Sequence, residues 1–140
     1  MQSVSKGRMA KIKATTGIYS GMAPKPVGPY SQAVHSGSFI FCSGQIGTNK
    51  NGIMAAGGIG RETKQAIENL KCILSEAGAG LKNVVRVDIF LARIEDFDKF
   101  NRSYAEYFAN EPKPARQTVA VSKLPKNASV EISCIAYLGK

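Results

Sequence analysis

The chain has 140 residues and a formal net charge of +9, long enough for one domain with its own core and too short for two. No apolar run approaches the roughly 18 residues that a membrane-spanning helix needs. The charge is uneven: residues 1–61 hold seven Lys and Arg and no Asp or Glu, whereas the remainder carries twelve bases against ten acids.

In chain order, Met1–Ala10 is basic and lacks an apolar stretch, so it reads as a flexible extension, either an organellar presequence or an expression leftover. Residues 11–140 form the single domain. Lys11–Thr16 has the pattern of a short edge strand, and the Pro- and Gly-rich stretch Gly17–Pro29 is a loop. Ala33–His35 and Phe39–Ser43 flank Ser36-Gly37-Ser38, which marks a hairpin. Gly47–Gly60, glycine-rich and polar, is expected to be a mobile loop.

Arg61–Ala79 is a helix. Ala66, Ile67, Leu70, Ile73, Leu74 and Ala77 recur at spacings of three and four, with Glu62, Lys64, Glu68, Lys71 and Glu76 set opposite. Asn83–Ala92 alternates as a strand, with Val85, Val87, Ile89 and Leu91 on one side and Arg86, Asp88 and Phe90 on the other. Ile94–Asn110 is a second helix with an apolar stripe through Phe97, Phe100, Tyr104, Tyr107 and Phe108, ended by Pro112 and Pro114.

Two strands close the chain, Arg116–Ser122 and Ser129–Tyr137. Gln117, Val119 and Val121 share one face of the first, leaving Arg116, Thr118 and Ala120 on the other. Val130, Ile132, Cys134 and Ala136 form the apolar row of the second, opposite Glu131, Ser133, Ile135 and Tyr137. The order implies an α+β layer structure with both helices on one face of a sheet. Helices covering the apolar rows would leave Arg116, Thr118, Glu131 and Ser133 on the helix-free face, which oligomerisation would bury.

The cysteines Cys42, Cys72 and Cys134 are odd in number and widely spaced, which points to reduced thiols and a cytoplasmic location, with a mitochondrial one left open by the basic start. A lone His35 excludes a His-rich metal centre. A basic surface suits nucleic acid or anionic metabolites. Without a Gly-Phe-rich aromatic strand, a GxxG loop or a zinc knuckle, RNA is the less favoured partner.

Several motifs keep order and spacing: Gly28-Pro29-Tyr30-Ser31-Gln32-Ala33, Ser43-Gly44-Gln45-Ile46, Glu62-Thr63 with Asn69-Leu70, Phe97 to Phe108, Pro114-Ala115-Arg116, Leu124-Pro125 and Val130-Glu131-Ile132. Over about Ile12 to Leu138 the chain resembles the RidA (YjgF) family of enamine/imine deaminases. The resemblance implies a chorismate-mutase-like fold, a mixed six-stranded sheet with two helices on one face, and a homotrimer around a central barrel with active sites between subunits. It implies hydrolysis of 2-aminoacrylate, 2-iminopropionate or 2-iminobutyrate to 2-keto acids and ammonia, with no cofactor and no metal. Pyridoxal-phosphate dehydratases would be the metabolic source of substrate.

Carried over by position, Arg116 resembles the carboxylate-binding arginine and Glu131 the water-holding glutamate. Tyr30, Ser43, Gly44, Asn101 and Thr118 match substrate-binding positions. Thr118 stands where many members have Cys, so no thiol chemistry operates there. The chemistry suits the residue types: a guanidinium fork matches a carboxylate bidentately, and a carboxylate beside an imine carbon positions and deprotonates water. The competing expectations are an RNA-binding endoribonuclease that inhibits translation and a non-catalytic trimer that binds keto acids.

Overall fold

In a computed structural model, residues 14–139 are described. They form one six-stranded sheet of order β1-β2-β3-β6-β4-β5. The strands are β1 (Thr16–Ile18), β2 (Ala33–Ser36), β3 (Phe39–Gln45), β4 (Val84–Leu91), β5 (Ala115–Ala120) and β6 (Val130–Tyr137). All neighbours are antiparallel except β4 and β5, which run parallel. Such a parallel pair needs a crossover, and helix α2 (Phe97–Ala105) lies within it. The expected extension at residues 1–10 lies outside the described residues, as does the first half of the expected first strand.

Helix α1 (Ile59–Glu76) packs across the sheet, burying Ala66, Ile67, Leu70, Ile73 and Leu74 against Ile40, Val87, Ile89, Leu91, Ile132 and Ala136. Burying such side chains contributes on the order of 1.5–3 kcal/mol each for the large aliphatics. The helix ends at Gly78, whose φ of 75° suits a residue without a side chain. Gly78 and Ala79 donate their N–H groups to the Ser75 and Leu74 carbonyls, a Schellman closure.

Glu62 departs from the expected solvent face: it is buried, along with Thr63 and Asn69. The positions 62, 66, 69 and 73 fall on one helical stripe, so these polar groups sit inside because of their spacing. Helix α2 is shorter than the Ile94–Asn110 expected. A 3-10 turn (Ile94–Asp96) precedes it, and after Ala105 the chain turns through a Tyr107 N–H to Tyr104 carbonyl bond before Pro112 and Pro114.

Two sidedness expectations are corrected. Val85 is exposed, because the β4–β6 register shifts between Val84 and Arg86 and Val84 takes the buried position. Arg116 and Thr118 lie on the helix-covered face. Their partners on β4 are Val87 and Ile89, both buried under the helices. Glu131 pairs with Phe90 and remains on the helix-free face as expected. The error has a physical origin: the helix-free face is also apolar, with Phe39, Phe41, Val119 and Tyr137 each exposed, so an apolar row on an edge strand does not say which way it points. Register decides it.

Candidate active site

The residues singled out above fall into two groups on opposite sides of the sheet. The first is built where β3 meets β6. The β3–β6 register shifts between Cys42 and Gln45, so Ser43 and Gly44 sit in a bulge. Gly44 faces Glu131 across that bulge, and a Cβ there would overlap the Glu131 carboxylate. Only glycine permits this approach.

Glu131 and Tyr30 open into a cavity of about 330 Å³ whose walls include Pro24, Val27, Ile46 and Pro125. Burial in these surroundings raises the Glu131 carboxyl above the ordinary range, as desolvation does to any carboxylate. Its proton affinity thereby moves toward that of a useful general base. The Tyr30 hydroxyl accepts a hydrogen bond from the Val27 N–H at 3.3 Å, which folds the Pro-rich loop over the cavity. Ser43 does not line the cavity: its hydroxyl donates to the Ser31 carbonyl at 2.6 Å and its N–H to the Gln32 carbonyl.

The second group lies under α2. The Arg116 guanidinium sits over three rings, 4.8 Å from the Tyr104 centroid, 5.5 Å from Phe100 and 5.7 Å from Phe97. This stacking orients the guanidinium fork, and among the described residues no carboxylate pairs with it. Burial raises the Tyr104 hydroxyl to about 12, with Arg116 acting in the opposite direction, so the ring stays neutral beneath the cation. Asn101 is on the same helix, and Thr118 is on the same face of β5 as Arg116. The Asn101 Oδ1 and Thr118 Oγ1 are buried and without a hydrogen-bond partner among the described residues.

Three clamps were not singled out from the sequence as site residues. Gln32 accepts from the Ser20 N–H and donates to the Ser20 and Pro24 carbonyls, holding the Pro-rich loop. Asn69 donates to the Thr48 carbonyl at 2.8 Å and the Ile46 carbonyl at 3.3 Å. The segment Gly47–Gly60, expected to be a mobile loop, is tied there and bridged at Thr48 and Met54. Glu62 accepts from the Ser129 N–H at 2.7 Å and the Ser129 hydroxyl at 3.0 Å, fixing the entry to β6 just before Glu131. A legible signal existed: each is a polar residue at a core-periodic position or beside one.

Comparison with known proteins gives this geometry its context. The family model described as endoribonuclease L-PSP matches residues 20–138. A RutC family protein of Pyrococcus abyssi is 50% identical over 121 residues, 86% of this chain and 94% of that protein. A protein of Dermatophagoides farinae named 2-iminobutanoate/2-iminopropanoate deaminase is 44% identical over 122 residues, covering 86% of this chain and 94% of its own. The crystal structure of RidA from an Antarctic Psychrobacter superposes with a TM-score of 0.83 at 36% identity, covering 87% of this chain and 98% of that one. The chain belongs to the endoribonuclease L-PSP family, also known as RidA or YjgF.

Proposed function

We propose that this protein hydrolyses reactive 2-enamino and 2-imino acids, such as 2-aminoacrylate, 2-iminopropionate and 2-iminobutyrate, to 2-keto acids and ammonia. The observation that carries the proposal is the division of the site. Arg116, Asn101 and Thr118 form a carboxylate-binding half whose guanidinium pairs with no carboxylate among the described residues, while Glu131, Gly44 and Tyr30 form a water-activating half inside a cavity. One protomer's halves face opposite ways, so a complete site requires the arginine half of one protomer against the glutamate half of the next. A homotrimer with its sheets around a central barrel meets that requirement, and it buries the exposed cluster of Phe39, Phe41 and Tyr137, whose rings lie 5.1–6.2 Å apart.

In such a site the Arg116 fork grips the substrate carboxylate through charge-assisted hydrogen bonds, each worth about 1.5–3 kcal/mol. Asn101 and Thr118 offer further polar contacts beside it. Glu131 orients a water toward the imine carbon and accepts its proton as the C–O bond forms and the C=N electron pair moves to nitrogen. Glu131 returns that proton to the nitrogen, giving the neutral carbinolamine; it then takes the carbinolamine hydroxyl proton and passes it to the nitrogen as the C–N bond breaks, so ammonia leaves and the carbonyl of the keto acid forms. Ser43 is a backbone-positioning residue in this scheme. A pyridoxal-phosphate dehydratase acting on serine or threonine would generate the substrate.

The relative named as a deaminase supports this reading. The family description as an endoribonuclease and the basic residues 1–61 favour RNA cleavage as the second reading. A dehydratase-coupled ammonia-release assay tests the first. Arg116→Ala should lower kcat/KM by roughly 10²-fold or more, the scale of losing one charge-stabilising donor. Wild-type-like turnover by that variant would contradict the assignment. RNA cleavage that persists in pure Arg116→Ala protein would favour the second reading.

A further inference from the structure

The cavity floored by Glu131 holds about 330 Å³ in a single protomer, at the lower end of the roughly 300–1,000 Å³ range of small-molecule sites. Its mouth is lined by three lysines, Lys25, Lys50 and Lys126, and Glu131 is the one acidic residue among its lining residues. All three lysines are exposed, whereas Glu131 is half-buried. Among the described residues none of the three forms an ion pair.

Two of these lysines stand on tied turns that approach one another at the mouth. Lys126 and Asn127 occupy the left-handed region at φ 56° and 55°, where side chains other than glycine's are uncommon. The Glu62 bonds to Ser129 and the Ala128 N–H to Pro125 carbonyl bond flank this turn. The turn sends the Lys126 ammonium across the mouth to within 3.6 Å of a Cβ built at Gly52. Gly52 is two residues from Lys50 on a loop that Asn49 ties through its side chain to the Asn51 and Ile53 N–H groups. Like charges at the mouth of an apolar-walled cleft focus a positive field into it, and strained backbone collects where a ligand is held.

We propose that this cavity receives the side chain of the imino acid, and that Lys50 and Lys126, assisted by Lys25, select side chains bearing a second carboxylate. The substrate class is then the dicarboxylic 2-imino acids, with the α-carboxylate on Arg116 of the neighbouring protomer and the distal one at the lysines. This rests on the imine-hydrolase reading above. Hydrolysis yields the dicarboxylic 2-keto acid and ammonia.

The test generates 2-iminoglutarate and 2-iminobutyrate separately with a flavin amino-acid oxidase and follows each as its semicarbazone, for the full-length protein and two double variants. The wild type should favour 2-iminoglutarate in kcat/KM by about tenfold or more, with a preference that weakens as salt is added. Lys50→Gln with Lys126→Gln should lose that preference, and Lys50→Arg with Lys126→Arg should keep most of it. Equal or poorer use of 2-iminoglutarate, with 2-iminobutyrate still hydrolysed, overturns the lysine subsite and leaves the hydrolase reading standing. If neither imine is hydrolysed, the hydrolase reading fails, and direct binding decides the subsite. Tighter binding of 2-oxoglutarate than of 2-oxobutyrate, lost in the Gln pair, supports it. Equal binding overturns it. Matching thermal unfolding midpoints for the Gln and Arg pairs separate charge from folding.

Discussion

Arg116 and Glu131 project from opposite faces of one sheet. Arg116 pairs with Val87 and Glu131 with Phe90, and these two β4 residues, three positions apart, point in opposite directions. A guanidinium stacked on Phe97, Phe100 and Tyr104 and a carboxylate in a cavity on the far side cannot act on one small molecule within a protomer. The proposed chemistry therefore requires assembly.

Glu131 gives a pH signature with a definite sign. Burial raises its folded-state pKa above the unfolded value. Its contribution to stability is thus present in full below the unfolded pKa of about 4.3 and is lost as pH rises through the folded pKa. Catalysis runs the other way, because the base must be ionised. The kcat/KM for imine hydrolysis should rise across that window. Glu131→Gln should lose activity by roughly 10²- to 10⁴-fold, the range for a general base. Its Tm relative to wild type should increase as pH is raised through the same window. Thermal unfolding and pH–rate profiles of the two proteins check both halves.

Gly44→Ala places a methyl group on the Glu131 carboxylate. The side chain must swing away, and displacement of a catalytic group by about 1 Å costs on the order of 10²-fold. Loss of hydrolysis with an unchanged oligomeric state is the expected result, measured by the coupled assay and light scattering.

The helix-free face presents Phe41 and Phe39 at 43% and 40% exposure, high for aromatic side chains in mid-sheet. Phe41→Asp places a charge in the centre of this patch. Light scattering should show a trimer for the wild type and smaller species for the variant, with imine hydrolysis falling in parallel.

Much of the fold was legible in the sequence because its periodicities are strong. Helix α1 and strands β3, β4 and β6 follow from apolar spacing, and Gly78 ends α1 where a left-handed residue is needed. The residues of both proposed half-sites were legible only through the ordered motifs, since an Arg and a Glu on strands are common. Which way they point was not. With Phe39, Phe41 and Tyr137 on one face and Ile40, Cys42 and Ala136 on the other, both faces of the sheet are apolar, and pairing between distant strands settles the question. The bulge at Val85 and the loop clamps of Gln32, Glu62 and Asn69 depend on partners far away in sequence, which local pattern does not encode.

A mixing experiment with two inactive variants tests assembly between protomers most directly. Arg116→Ala and Glu131→Gln are each expected to be inactive alone. Co-expressed with different tags and purified as mixed trimers, they should recover about a third of wild-type imine hydrolysis, because a closed ring of three that contains both variants has one intact Arg116–Glu131 pair among its three interfaces. Mixed trimers that stay as inactive as either parent would contradict a site built from one protomer's arginine and its neighbour's glutamate.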